Sequence, residues 1–128
     1  MPKFKKFLLI GSAFAALSVL FGAFGAHGLK SMETEASMVS TFETAARYQF
    51  YHALGLIIIF VLSQHKLKLN LLNWSGWIMT AGTVVFSGSL YIYVLSGIKA
   101  FAIITPVGGL LMVFSWIVLF IASVKGKE

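Results

Sequence analysis

The sequence predicts a four-helix integral membrane bundle, and three observations carry that prediction. Of its 128 residues, 59% are hydrophobic and 11% charged, where a soluble domain carries about 25% charged residues. A soluble chain this short leaves much of its surface outside and could not hide so much apolar area, so lipid is its solvent. The apolar residues also fall in four runs close to the roughly 20 residues that cross a bilayer. Finally, the bases that give the net charge of +6 lie at the ends of those runs, which is the membrane-surface pattern. They form no patch on a polar fold, so nucleic acid is not an expected partner. Cysteine is absent, which excludes disulfides, thiol catalysis and thiolate metal sites. Four such spans use about 80 residues and leave short loops, so residues 1–128 are read as a single membrane domain.

Span one is placed at about residues 7–26, behind Lys3, Lys5 and Lys6. The run is longer than the apolar core of a usual signal peptide and three further spans follow. A permanent helix is therefore expected, rather than a leader cleaved near Ala23-Phe24-Gly25. Gly11, Ala15, Ser18, Gly22 and Gly25 recur at steps of four and three and line one helical face. Such a stripe lets another helix approach closely in lipid, and self-association through it is expected.

The stretch from His27 to Arg47 holds all the internal glutamates. Met38, Val39, Phe42, Ala45 and Ala46, with Gln49 just beyond the stretch, fall at i, i+3, i+4 spacing, which predicts an interfacial amphipathic helix leading into span two. Glu43 precedes Arg47 by four residues, the better order for a helical ion pair, worth about 0.3–0.5 kcal/mol when exposed. Span two is read at about 45–63 and is followed by a linker bearing Lys66 and Lys68. Trp74 and Trp77 suit an interfacial aromatic belt and open span three, at about 74–95. Its Gly76, Thr80, Thr83 and Ser87 form a second small, hydroxyl-bearing stripe. Thr105-Pro106 then interrupts an apolar run. Proline is favoured at the first helical position after a threonine cap, so helix four is predicted at 106–123, with a kink inside a longer helix as the alternative. With the N-terminus inside, the inner side holds Lys3, Lys5, Lys6, Lys66, Lys68, Lys125 and Lys127, and the outer side Lys30, Arg47 and Lys99. That asymmetry predicts both termini in the cytoplasm.

Several strings occur in order along the chain. They are Gly22-Ala23-Phe24-Gly25-Ala26-His27-Gly28-Leu29, Tyr48-Gln49-Phe50-Tyr51-His52-Ala53-Leu54, Phe86-Ser87-Gly88-Ser89-Leu90-Tyr91 and Thr105-Pro106-Val107-Gly108-Gly109, with Trp116 beyond. Together they resemble the domain-of-unknown-function 423 family, also called uncharacterised protein family 0382. Its members are small bacterial inner-membrane proteins, with a eukaryotic relative called transmembrane protein 256. The resemblance implies a four-helix, multi-pass protein of the bacterial plasma membrane and brings no established activity.

In the orientation above, polar groups of all four spans converge on the outer half. His52, Tyr91 and Thr105 are expected to form one mutually reachable group, rimmed by Arg47 and His27. Tyr48 shares the face of His52 at i, i+4, and Ser87 is a prospective hydrogen-bond partner. An ionisable group at the centre of a membrane costs about 2.5–3.5 kcal/mol on insertion scales, so His52 stands either for interhelical hydrogen bonding or for a working site. A metal would need His27, His52 and Glu43 to converge with a fourth ligand, and no His-x-x-x-His is present. No metal or cofactor is expected. Gly108-Gly109 lacks the Lys-Ser/Thr and the preceding strand of a phosphate loop and reads as a packing feature. The tryptophans read as interfacial or packing residues. The expected function is a non-enzymatic accessory or envelope-associated membrane factor, with the bilayer and a homo-oligomer or membrane-protein partner. The alternative is binding or permeation of a small solute, ion or proton through the outer polar cluster. An enzyme on a membrane-soluble substrate ranks third.

Overall fold

The computed structural model describes residues 3–65 and 67–126. Lys66 and Lys127 of the inner-side count lie outside the described residues. Helix α1 (Lys5–Ala23) continues through a π-helical turn at Phe24–Leu29. Helices α2 (Ala36–Leu62), α3 (Leu69–Ser96) and α4 (Lys99–Lys125) follow. Among the described residues four helices, counting α1 and its π turn as one, are long and apolar enough to cross a membrane. This is a multi-pass membrane protein built as a helical bundle.

The connections are short and closed by backbone hydrogen bonds. After the π turn, Glu33 takes a left-handed φ of 59°. Its N–H donates to the Lys30 carbonyl, and the Thr34 N–H donates to the Leu29 carbonyl, each at 3.1 Å. This is the paired closure of a Schellman motif with glutamate in place of the usual glycine. Between α3 and α4 the left-handed position is held by Gly97, whose N–H donates to the Tyr93 carbonyl at 2.7 Å, so α4 turns back at once beside α3.

The amphipathic stretch before span two is continuous with it in α2, and Val39, Phe42, Ala45, Ala46 and Gln49 form its buried face. Helix four departs from its expected start. It begins at Lys99, and Pro106 lies inside it. Thr105 is therefore no N-cap; its hydroxyl donates back to the Phe101 carbonyl one turn earlier, at 3.2 Å. Pro106 has no N–H to give to the Ala102 carbonyl, which loses its helical partner. Membrane helices tolerate that loss because neighbouring helices and hydroxyl side chains re-satisfy freed backbone groups.

Helix α3 is the centre of the bundle, packing against both α2 and α4, while α1 packs mainly on α2. At the end where the chain begins, Phe4, Phe7, Leu56, Ile59, Leu72, Met79 and Leu119 form one core cluster. At the other end Leu29, Val39 and Phe42 form a second, with Phe21, Tyr91 and Val94 packed against it. Lys6 places its ammonium 5.1 Å from the centroid of the Trp77 ring, which ties α1 to α3 by a cation–π contact.

Both small-residue stripes serve these internal seams. A Cβ at Gly11 would stand 2.8 Å from the Ala53 carbonyl oxygen, and one at Gly25 would stand 3.0 Å from the Phe42 ring. Gly76 seats the ring of Phe7, and Thr83 and Ser87 are buried. Gly11, Gly25 and Gly76 thus face neighbouring helices of the same chain, while Gly22 stays open beside Ala46. The closest seam joins α3 to α4. Gly82 faces the Met112 backbone nitrogen at 2.9 Å, and Gly108 faces the Phe86 backbone. Backbone cannot move aside as a flexible side chain can. Gly108→Ala should therefore cost about 1–3 kcal/mol by overpacking, read as a lower unfolding midpoint in detergent micelles. An unchanged midpoint would mean that the helices separate without loss.

Candidate functional site

The polar side chains inside the bundle are held by hydrogen bonds between helices. His52 lies on the buried side of α2, with a relative exposure of 5%. Its Nδ1 is 2.7 Å from the carbonyl oxygen of Tyr48, one turn back on the same helix. Its Nε2 accepts the indole N–H of Trp116 on α4 at 3.0 Å. An indole can only donate, so Nε2 must carry a lone pair and Nδ1 the proton. A neutral imidazole in that single tautomer satisfies both contacts. An imidazolium would set two N–H donors against one another.

Tyr91 on α3 donates its hydroxyl to Oε1 of Gln49 on α2 at 2.7 Å. The amide nitrogen of Gln49 then donates to the Phe14 carbonyl on α1 at 2.8 Å. One relay of hydrogen bonds therefore crosses three helices. Ser87 on α3 donates to the Ala45 carbonyl on α2 at 2.7 Å. The hydroxyls of Ser89 on α3 and Thr105 on α4 lie 2.6 Å apart. Nearer the other end, Ser75 on α3 donates to the Ser115 carbonyl on α4 at 2.7 Å. One buried side-chain oxygen, Oδ1 of Asn73, has no partner among the described residues.

The structure thus separates the expected polar group. His52 pairs with Trp116, Tyr91 with Gln49 and Thr105 with Ser89; none of the three bonds another, and Ser87 reaches Ala45 rather than His52. The physical reason is the pitch of the helix. Thr105 and Trp116 are eleven residues apart on α4, about 16 Å along its axis at 1.5 Å per residue, so the pair that holds Thr105 and the pair that holds His52 are rooted at different depths on α4. Tyr48 does lie beside His52, with ring centroids 6.4 Å apart. Arg47 is exposed and turns its Nη2 to the Thr44 hydroxyl at 3.3 Å rather than to Glu43. His27 is exposed on the π turn and stands apart from the layers.

Trp116, Gln49, Ser89 and Ser75 are the partners that the sequence reading missed. A signal for two of them was present. An indole N–H and a primary amide inside apolar runs must find partners in lipid, and His52 and Tyr91 were the groups left to supply them. A groove of about 430 Å³ runs beside the histidine, lined by Thr44, Tyr48, His52, Phe86, Gly109, Met112, Val113 and Trp116. Both imidazole nitrogens are engaged at its wall. Among the described residues no three His, Asp or Glu side chains are grouped to hold a metal.

Four apolar helices joined by short turns, with interhelical hydrogen bonds in layers, define a small multi-pass membrane protein. A family model described as "Protein of unknown function (DUF423)" matches residues 21–109. The UPF0382 membrane protein SAB0533 of Staphylococcus aureus (strain bovine RF122 / ET3-1) is 46% identical over 121 residues, covering 94% of this chain and 97% of the relative. The UPF0382 membrane protein YwdK of Bacillus subtilis (strain 168) is 40% identical over 121 residues, covering 94% and 98%. The chain belongs to the DUF423 family, the resemblance its ordered strings indicated. No solved structure matches it.

The layered arrangement has a measurable signature. In a double-mutant cycle, His52→Leu and Trp116→Phe should couple by about 0.6–1.7 kcal/mol, the range found for interhelical hydrogen bonds in membranes. His52→Leu and Thr105→Val, a layer apart, should add independently. Equal coupling in both cycles, from unfolding in micelles, would restore the single converged group.

Proposed function

We propose that this protein is a non-enzymatic accessory factor of the bacterial plasma membrane, acting through the surfaces that it turns outward. The observation that carries this reading is the engagement of its interior polar groups. His52, Gln49, Ser75, Ser87, Ser89, Tyr91 and Thr105 each meet a protein partner on another helix. A working acid, base or nucleophile needs a free lone pair or proton directed at substrate, and these groups are already committed to holding helices together. Ion or proton passage would need the layers joined into a path, whereas they stand separated along the bundle. The outward surface, by contrast, is broad. Along α4, Ile103, Val107, Leu110, Val113, Phe114, Ile117 and Phe120 are all exposed, which suits lipid or another membrane helix.

A photo-crosslinking residue at Leu110, in living cells, should give a discrete protein adduct, either with a second copy or with one membrane partner. Adducts with lipid alone would overturn the accessory role. We further propose that both termini face the cytoplasm, supported by the excess of bases at that end. A reporter fused after Ser63 should then read inside and one after Lys99 outside. The reverse pattern would invert the protein in the membrane.

A further inference from the structure

A groove of about 380 Å³ lies between α1 and α2, toward the end of the bundle that carries the π turn. Its wall includes one acid and one base, Glu43 and Arg47, together with the apolar Val19 and Phe50. Spacing of i, i+4 sets Glu43 and Arg47 about 5–6 Å apart at their Cβ atoms. They do not neutralise one another, because the guanidinium turns to Thr44 at 3.3 Å. The groove exists because of Gly22. A Cβ there would meet only the Ala46 Cβ, at 3.9 Å, so the missing side chain leaves space that neither helix fills.

Position and chemistry point to the same occupant. The apolar part of α2 begins at Ala45, and Tyr48 and Tyr51, both exposed, lie within about one turn of Arg47 along the helix. Aromatic residues of that kind mark the headgroup level of a bilayer. The acid and the base therefore stand where lipid phosphates and amines stand, beside a slot that opens onto Val19 and Phe50. A guanidinium binds phosphate through its planar fork of donors. A carboxylate a turn away repels a purely anionic headgroup but accepts hydrogen bonds from a protonated amine. We propose that this groove binds the headgroup of an aminophospholipid, with Arg47 on the phosphate, Glu43 on the amine and the space at Gly22 taking the first carbons of the lipid tail. The site is independent of the hydrogen-bonded layers and leaves the accessory role to stand or fall separately.

The test uses the full chain in nanodiscs of equal phosphatidylethanolamine and phosphatidylglycerol, with native mass spectrometry of the lipid retained on transfer to detergent. The expected result is enrichment of phosphatidylethanolamine by about five-fold, the size of effect that one exposed charge contact supplies. Glu43→Gln should erase the preference while lipid is still retained, and Arg47→Gln should lower retention of both lipids. Gly22→Leu should fill the slot and lower retention of both at an unchanged unfolding midpoint, since the space there admits a side chain. If Gly22→Leu fails to fold, the Glu43→Gln ratio alone decides. Retention that mirrors the bilayer composition would identify annular lipid only and overturn the proposal. A preference that survives Glu43→Gln would do the same.

Discussion

A polar group inside a bilayer has no water to turn to, and the rest of this structure depends on that constraint. Every hydroxyl, amide or ring nitrogen placed between the helices must find its partner in the protein. Helix α3 meets most of the demand, sending Ser75 and Ser89 toward α4 and Ser87 and Tyr91 toward α2. A serine side chain is short, so it reaches a neighbour's carbonyl only where two helix axes lie close. Gly82 and Gly108 permit that approach by exposing backbone to backbone. Close packing and hydrogen bonding are therefore one requirement here, met by the same small residues.

Where the sequence was legible, the physics was one-dimensional. Run length, hydropathy and the placement of lysines along the chain are enough to indicate four helices, although α2, α3 and α4 begin nine, five and seven residues before the spans read from them. Pro106 misled because the rule that places proline at a helix start comes from chains surrounded by water. Inside a bundle, α4 instead continues back to Lys99, with a back-bonded Thr105 in its first turns. The two small-residue stripes were visible as stripes, but nothing along the chain says whether the partner helix is its own or another copy's. In three dimensions Gly11 meets Ala53 and Gly76 meets Phe7, both within the chain, while Gly22 stays open.

The polar site was legible as a list and illegible as an arrangement. His52, Tyr91, Thr105 and Ser87 each hydrogen-bond to another helix, whereas Arg47 and His27, named with them, are exposed. Which residue meets which depends on helix rotation as well as depth, and rotation differs by about 100° for each residue of error in register. Trp116 illustrates the point. Along the chain it is an aromatic packing residue; in the bundle it fixes the tautomer of His52. Relatives in the DUF423 family align with this chain over nearly their whole length at 40–46% identity and carry the name of membrane proteins.

The π turn at Phe24–Leu29 gives one end of the first helix a property that its rigid remainder lacks. A π turn holds one residue more than an α turn in the same stretch of axis. It lies where Gly25 and Leu29 are buried against α2 and is folded around Gly28, over which the Phe24 ring lies. Bilayers differ in thickness by a few ångströms between membranes, and a mismatch costs fractions of a kcal/mol per ångström. Drawing the turn into α-helical form lengthens the apolar rod and rotates the residues beyond it; letting it relax does the reverse. The extra residue therefore sets the length of the apolar rod at the end of the bundle where Leu29 meets Val39 and Phe42.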